Sequence, residues 1–129
     1  MRRIIFLLLF CLPVLLCFGQ TQSELDEIAT NDYHKAETEL NSVYQQILQE
    51  YKGDTSFIEN LKTAERLWLQ FRHAEMRVKF PMGKEYGSIF PMCWAEYLAE
   101  LTKNRTKELR VWLDRINDGE GCPGSVKIR

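Results

Sequence analysis

Leu61-Lys-Thr-Ala-Glu-Arg-Leu-Trp-Leu-Gln-Phe-Arg-His-Ala-Glu-Met76 is the stretch that decides the fold class. Its apolar residues Leu61, Ala64, Trp68 and Phe71 recur at steps of three and four, the period of one helix face. Arg72 stands on the edge of that stripe. No residue in the stretch forms a recognisable reaction centre. From the residues alone, the chain is an exported helical domain without visible chemistry.

Export follows from the start of the chain. Arg2 and Arg3 precede an apolar run from Ile4 to Leu16, and Cys17-Phe18-Gly19 offers small residues at the −3 and −1 positions of a cut after Gly19. That is the pattern of a secretory signal peptide. The run is shorter than the roughly 20 residues of a spanning helix, and Pro13 interrupts it. Residues 1–19 are therefore read as a signal peptide, with no stable membrane insertion after cleavage and a periplasmic or secreted product. A lipoprotein anchored through Cys17 is the minority reading, since Leu16 stands where a small residue is wanted.

Removal of 19 residues from 129 leaves 110, enough for one domain. The full chain has 17 Lys+Arg and 18 Asp+Glu; without Arg2 and Arg3 the balance is 15 − 18 = −3. A mildly acidic domain has no basic stripe to neutralise phosphates, which argues against nucleic acid as a partner.

Three helices are predicted. The first runs from about Ser23 to Tyr51, entered through Thr21-x-x-Glu24 or Ser23-x-x-Asp26. Leu25, Ile28, Ala29, Ala36, Leu40, Val43, Ile47 and Leu48 form its stripe, with Tyr44 and Tyr51 beside it. Thr30-Asn31-Asp32 are weak helix formers, so a break there would make four helices in place of three. Gly53 ends the first helix, and Asp54, Thr55 or Ser56 caps the second, Ser56-x-x-Glu59 being the better box. The second helix stops before Pro81. The third starts near Ser88, tolerates Pro91 in its first turn and runs to about Asn117, with Leu98, Leu101, Leu109, Trp112 and Ile116 as its stripe. The helical domain is thus 20–117, and residues 118–129 form a mobile tail.

Short connections make neighbouring helices antiparallel and set a register. Folding about residues 81–90 places Trp68 opposite Arg105, Arg72 opposite Leu101 and Met76 opposite Tyr97. Folding about Gly53 brings Leu40 and Tyr44 level with Trp68. Arg105 then lies over the Trp68 indole and needs a carboxylate, for which Glu65 and Glu108 are the candidates.

Leu40-Asn41-x-x-Tyr44, Leu61-x-x-Ala64-x-Arg66-x-Trp68-Leu69-x-Phe71-Arg72, Gly87-Ser88-Ile89-x-Pro91-Met92 and Leu101-Thr102-x-x-Arg105-Thr106-x-x-Leu109 follow one another in this order. Together they resemble the LprI-like lysozyme-inhibitor family over about residues 24–113. The resemblance implies a small all-helical domain of the periplasm or envelope that inhibits lysozyme. It carries Asn41, Tyr44, Trp68, Arg72, Thr102 and Arg105 over as family positions, and with Glu65 they make a structural polar layer. Glu65 stands where many members have glutamine, and His73 where aspartate is common. The family's cysteines near Met76, Tyr97 and Ile28 are missing, which removes its usual disulfide.

Cys93 and Cys122 are the two cysteines beyond the leader. A continuous helix over 94–117 is about 36 Å long, and residues 118–121 reach back only roughly 14–18 Å. Free or intermolecular thiols are expected.

Other chemistry is poorly supported. His34 and His73 stand alone on different helices, without zinc-type spacing, so neither a metal nor a cofactor is assigned. Glu65 and Glu75 are ten residues apart, roughly 15 Å along one helix, too far for a glycosidase pair. Ser42, Ser56 and Ser88 lack a partner histidine. Asn104-Arg-Thr106 falls inside a helix and is discounted as a glycosylation site. Catalytic residues are therefore none.

The 81–91 loop is the best candidate for contact with a protein. Met82, Tyr86, Ile89 and Phe90 are unusual for a solvent-exposed turn, although Ile89 and Phe90 would equally cap the open end of the bundle. Lys84, Glu85, Tyr86, Ser88, Phe90 and Trp94 are the predicted partner-binding residues. The sequence thus reads as an all-α antiparallel bundle of three or four helices, an exported protein-binding domain whose partner is a lysozyme. An envelope adaptor with another protein partner is the competing reading.

Overall fold

The computed structural model describes residues 20–129. The signal peptide, its cleavage site and the lipidation alternative at Cys17 lie outside the described residues. Helices α1 (Gln22–Glu50), α2 (Thr55–Lys79) and α3 (Phe90–Arg110) form an antiparallel bundle.

Each helix begins and ends for a local reason. Thr21 caps α1: its Oγ1 accepts from the Glu24 N–H at 3.2 Å while the Glu24 carboxylate accepts from the Thr21 N–H at 2.8 Å. α1 continues unbroken through Thr30-Asn31-Asp32. Ala29 and Ala36 on either side are buried, and Asp32 is tied to Lys103 of α3, so tertiary contacts override the weak propensity. Among the described residues the bundle therefore has three helices, not four. Asp54 caps α2 by accepting from the Phe57 N–H at 2.9 Å. The Ser56 box is bypassed because the Asp54 N–H donates to the Tyr51 carbonyl, closing the turn two residues earlier. α3 starts with Pro91 inside its first turn, where its missing N–H costs nothing.

The core gathers Leu40, Val43, Ile47 and Tyr51 of α1, Phe57 and Leu61 of α2 and Leu109 of α3, flanked by Trp68 and Trp112. Packing is uneven. α1 and α3 approach closely along their length, whereas α2 stands further off. Small side chains permit the close approach: Ala29 and Ala36 face inward on α1, and Ala95, Ala99, Thr102 and Thr106 on α3. α2 spans its wider gap with Trp68, Arg72 and Met76.

Two sequence expectations fail here. The inward face of α2 carries Phe57, Leu61, Arg72 and Met76, with Glu65 and Trp68 half-buried, while Ala64 and Phe71 of the predicted stripe face solvent. The buried face is rotated because two charged residues, paired across the bundle, take inward positions.

The second failure is at the end of the chain. α3 stops at Arg110, about two turns before Asn117. Trp112 leaves the helix and sets its indole edge-on to Phe57, with ring centroids 5.2 Å apart. The Tyr51 hydroxyl donates to the Trp112 carbonyl at 3.0 Å. The segment expected to be mobile then folds back: Ile116 and Ile128 form a parallel bridge, and the Arg129 N–H donates to the Ile116 carbonyl at 2.9 Å. Lys127 donates from Nζ to the Glu50 carboxylate at 3.2 Å and lies over the Tyr51 ring, 5.0 Å from its centroid.

Candidate functional site

Two constellations stand out, one at mid-height of the bundle and one at its loop end. The first is centred on Arg72, a buried arginine on α2. Its Nη1 donates to the Glu37 carboxylate of α1 and, at 3.0 Å, to Thr102 Oγ1 of α3. Thr102 gives its own proton to the Leu98 carbonyl at 2.7 Å, so its oxygen meets the guanidinium as an acceptor. The Arg72 guanidinium carbon also stands 4.9 Å from the centroid of the Trp68 ring. One side chain thus joins all three helices. Its Nε alone is buried without a hydrogen-bond partner.

Arg105 builds a second tier against Trp68, 5.8 Å from the ring centroid. It reaches Glu65 of α2 at 3.0 Å and Glu108 of its own helix at 3.1 Å. Tyr44 sits half-buried beside this tier; burial first, then the Glu65 carboxylate, hold its phenol above the ordinary value. Tyr33 is raised likewise, by burial and then by Glu37, with Arg72 pulling the other way.

Of the residues read as a polar layer, Tyr44, Glu65, Trp68, Arg72, Thr102 and Arg105 converge here. Asn41 does not: it is exposed on the outer side of α1. Glu37 supplies the carboxylate that Arg72 needs and was not foreseen. The available signal was its place four residues after Tyr33 and beside buried Ala36, on the margin of the α1 stripe.

Nothing in this layer is arranged for acid–base or nucleophilic work. Each carboxylate in it is engaged by a guanidinium. Among the described residues, no group of three or more His, Cys, Asp or Glu side chains is placed to hold a metal ion. His34 and His73 are both exposed, and Glu75 accepts from the Tyr97 hydroxyl at 3.4 Å. Cys93 and Cys122 are free, one in the first turn of α3 and the other in the tail.

The loop end is aromatic. Phe80, at the end of α2, is surrounded by Tyr86, Phe90, Trp94 and Tyr97, with centroids at 5.7, 5.4, 5.5 and 6.3 Å. Tyr86 stacks on Phe90 at 4.9 Å and donates its hydroxyl to the Pro81 carbonyl at 2.7 Å. Lys79 lies over the Tyr97 ring at 3.8 Å. Gly83 and Gly87 turn the chain with φ of 83° and 71°, values that favour glycine.

This cluster divides the six predicted contact residues. Lys84, Glu85 and Ser88 are exposed, whereas Tyr86, Phe90 and Trp94 are half-buried and hold the loop in shape. The apolar side chains left outward are Met82, 90 % exposed, and Ile89, 48 % exposed. Beside them, Tyr33, His34, Phe90, Trp94 and Leu98 line a mainly apolar cleft of about 440 Å3 between α1 and α3.

Comparison with known proteins agrees with this architecture. The family model described as lysozyme inhibitor LprI matches residues 18–109. An uncharacterised protein of Rhizobium meliloti (strain 1021) is 31 % identical over 101 residues, covering 70 % of this chain and 72 % of that protein. No solved structure matches the chain. With the matched segment running from before α1 to the last turn of α3, the chain belongs to the LprI lysozyme-inhibitor family.

Proposed function

We propose that this chain is an exported, non-catalytic protein that binds and inhibits a lysozyme-type muramidase through its 80–90 loop. Membership of the lysozyme-inhibitor family supports the partner class. The observation that carries the choice of surface is Met82, almost fully exposed on a turn clamped by five aromatic rings. An apolar side chain held out on a rigid support binds with little ordering cost. Ile89, Lys84, Glu85 and Ser88 surround it, while Tyr86, Phe90 and Trp94 position the loop. A net charge of −3 after loss of the leader favours encounter with a basic enzyme.

The test is inhibition of a panel of lysozymes by folded residues 20–129, alongside Met82→Asp and Ile89→Asp. The expected result is dose-dependent inhibition that both substitutions weaken without lowering Tm. Absence of binding across the panel by folded protein overturns the assignment and leaves an adaptor for a different protein.

A further inference from the structure

One exposed side of α2 carries an apolar stripe. Ala64, Leu67, Phe71, Ala74 and Val78 recur at steps of three, four, three and four along it. Leu67 is 56 % exposed, Phe71 52 % and Val78 73 %, and both alanines face solvent. The inward face of the same helix is already occupied by the Trp68, Arg72 and Arg105 tiers. Leu67, Phe71 and Val78 therefore stay largely exposed in this bundle, while Ala64 borders a groove it shares with Arg105 and Trp112, and the spacing is that of a seam between two helices.

We propose that this face docks a second copy of the chain, with the two α2 helices antiparallel. The stripe is complementary to itself in that direction. A two-fold axis near the level of Trp68 sets Phe71 of one copy against Ala64 of the other, Leu67 against Leu67, and Ala74 against Asn60. Large residues meet small ones on either side of the centre. The same register brings Glu59 of one copy to Arg77 of the other, both exposed on one flank, and Arg66 to the uncharged Gln70. No like charges face each other along that flank. Neither the 80–90 loop nor its exposed Met82 lies on this seam, so self-association leaves the proposed lysozyme contact open.

One helix pair buries less than the roughly 800 Å2 per partner of a standard stable interface, so a weak, concentration-dependent dimer follows. Sedimentation equilibrium of residues 20–129, from about 10 µM to about 1 mM, reads it directly. The expected result is a mass rising from monomer toward dimer. Phe71→Glu and Leu67→Glu, at sites exposed in the monomer, are each expected to weaken association about tenfold or more with Tm unchanged. Glu59→Arg weakens it as well, and adding Arg77→Glu to that variant restores it. A monomer throughout the range, a dimer indifferent to Phe71→Glu, or a double charge swap without rescue each overturns the proposal. Lysozyme inhibition by the Phe71→Glu variant stays intact in the supporting case, so the two proposals fail separately.

Discussion

Arg105 of α3 meets Glu65 of α2 at 3.0 Å, its guanidinium carbon 5.8 Å from the Trp68 ring centroid, with side chains only 15 % and 13 % exposed. Two charges withdrawn from water this far stabilise the fold only as a pair.

Glu65→Ala is expected to cost about 3 kcal/mol, the lower end for breaking a buried pair, because Arg105 keeps Glu108. Replacing both partners, as Glu65→Leu with Arg105→Met, is expected to cost much less than the single change, since no unpaired charge remains. Urea denaturation of Glu65→Ala and of the double variant decides this. Equal costs for Glu65→Ala and the double replacement would contradict it.

Arg72 hydrogen-bonds α2 to both of its neighbours. Arg72→Ala is expected to cost about 3–5 kcal/mol, because the Glu37 carboxylate is left without its cation. Thr102→Val removes one neutral acceptor and is expected to cost only about 1–2 kcal/mol. Reversal of that order would mean that the guanidinium does not carry the layer.

The attachment of the tail depends on pH. The Lys127 ammonium, by hydrogen bond and charge, and then Arg115 hold the Glu50 carboxyl below its ordinary value. A carboxylate depressed in the folded state contributes fully above its unfolded pKa, about 4.3, and loses that contribution as pH falls through the folded value. Protection of the amides of residues 116–129, measured against the intrinsic exchange rate at each pH, is therefore expected to fall on acidification below about pH 4. Lys127→Ala is expected to show the lowered protection already at neutral pH, and a pH response of protection identical to the parent chain would refute the linkage.

Phe80 holds the loop end together. Phe80→Ala removes the ring that four others surround and is expected to cost about 2–3 kcal/mol, below the full core value because the site is half-buried. Exchange protection of the 81–89 backbone should fall by more than that of α1. Uniform loss across the molecule would show that the cluster is part of the global core.

Much of the architecture was legible in the sequence. The hairpin register predicted Arg72 opposite Leu101, and its partner is Thr102, one residue away. Arg105 reaches the two carboxylates nominated for it. Hydrophobic period did less well on α2, because it counts Ala64 and Phe71 as inward and cannot see that Glu65 and Arg72 are neutralised across the bundle. It counted Ala29 and Ala36 on α1 but missed the α3 face they meet, Ala95, Ala99, Thr102 and Thr106, which hydropathy barely registers. The tail escaped because its anchors are single residues, Tyr51, Trp112 and Lys127, with no repeating pattern. At the loop, composition identified unusual aromatics but not which of them support and which protrude.

The closest helix pair unites the two ends of the chain, and that ordering has a kinetic consequence. Asp32 pairs with Lys103 and Glu39 with Arg110, each 71 positions apart. A chain synthesised from its N-terminus has made α1 and α2 long before the strip of α3 that α1 requires. Until about residue 110 is available, the α1–α2 hairpin has only long side chains to hold it and an open apolar groove where α3 belongs. Folding is therefore expected to begin late and to complete in one step, with loop closure across some seventy residues as its slow event.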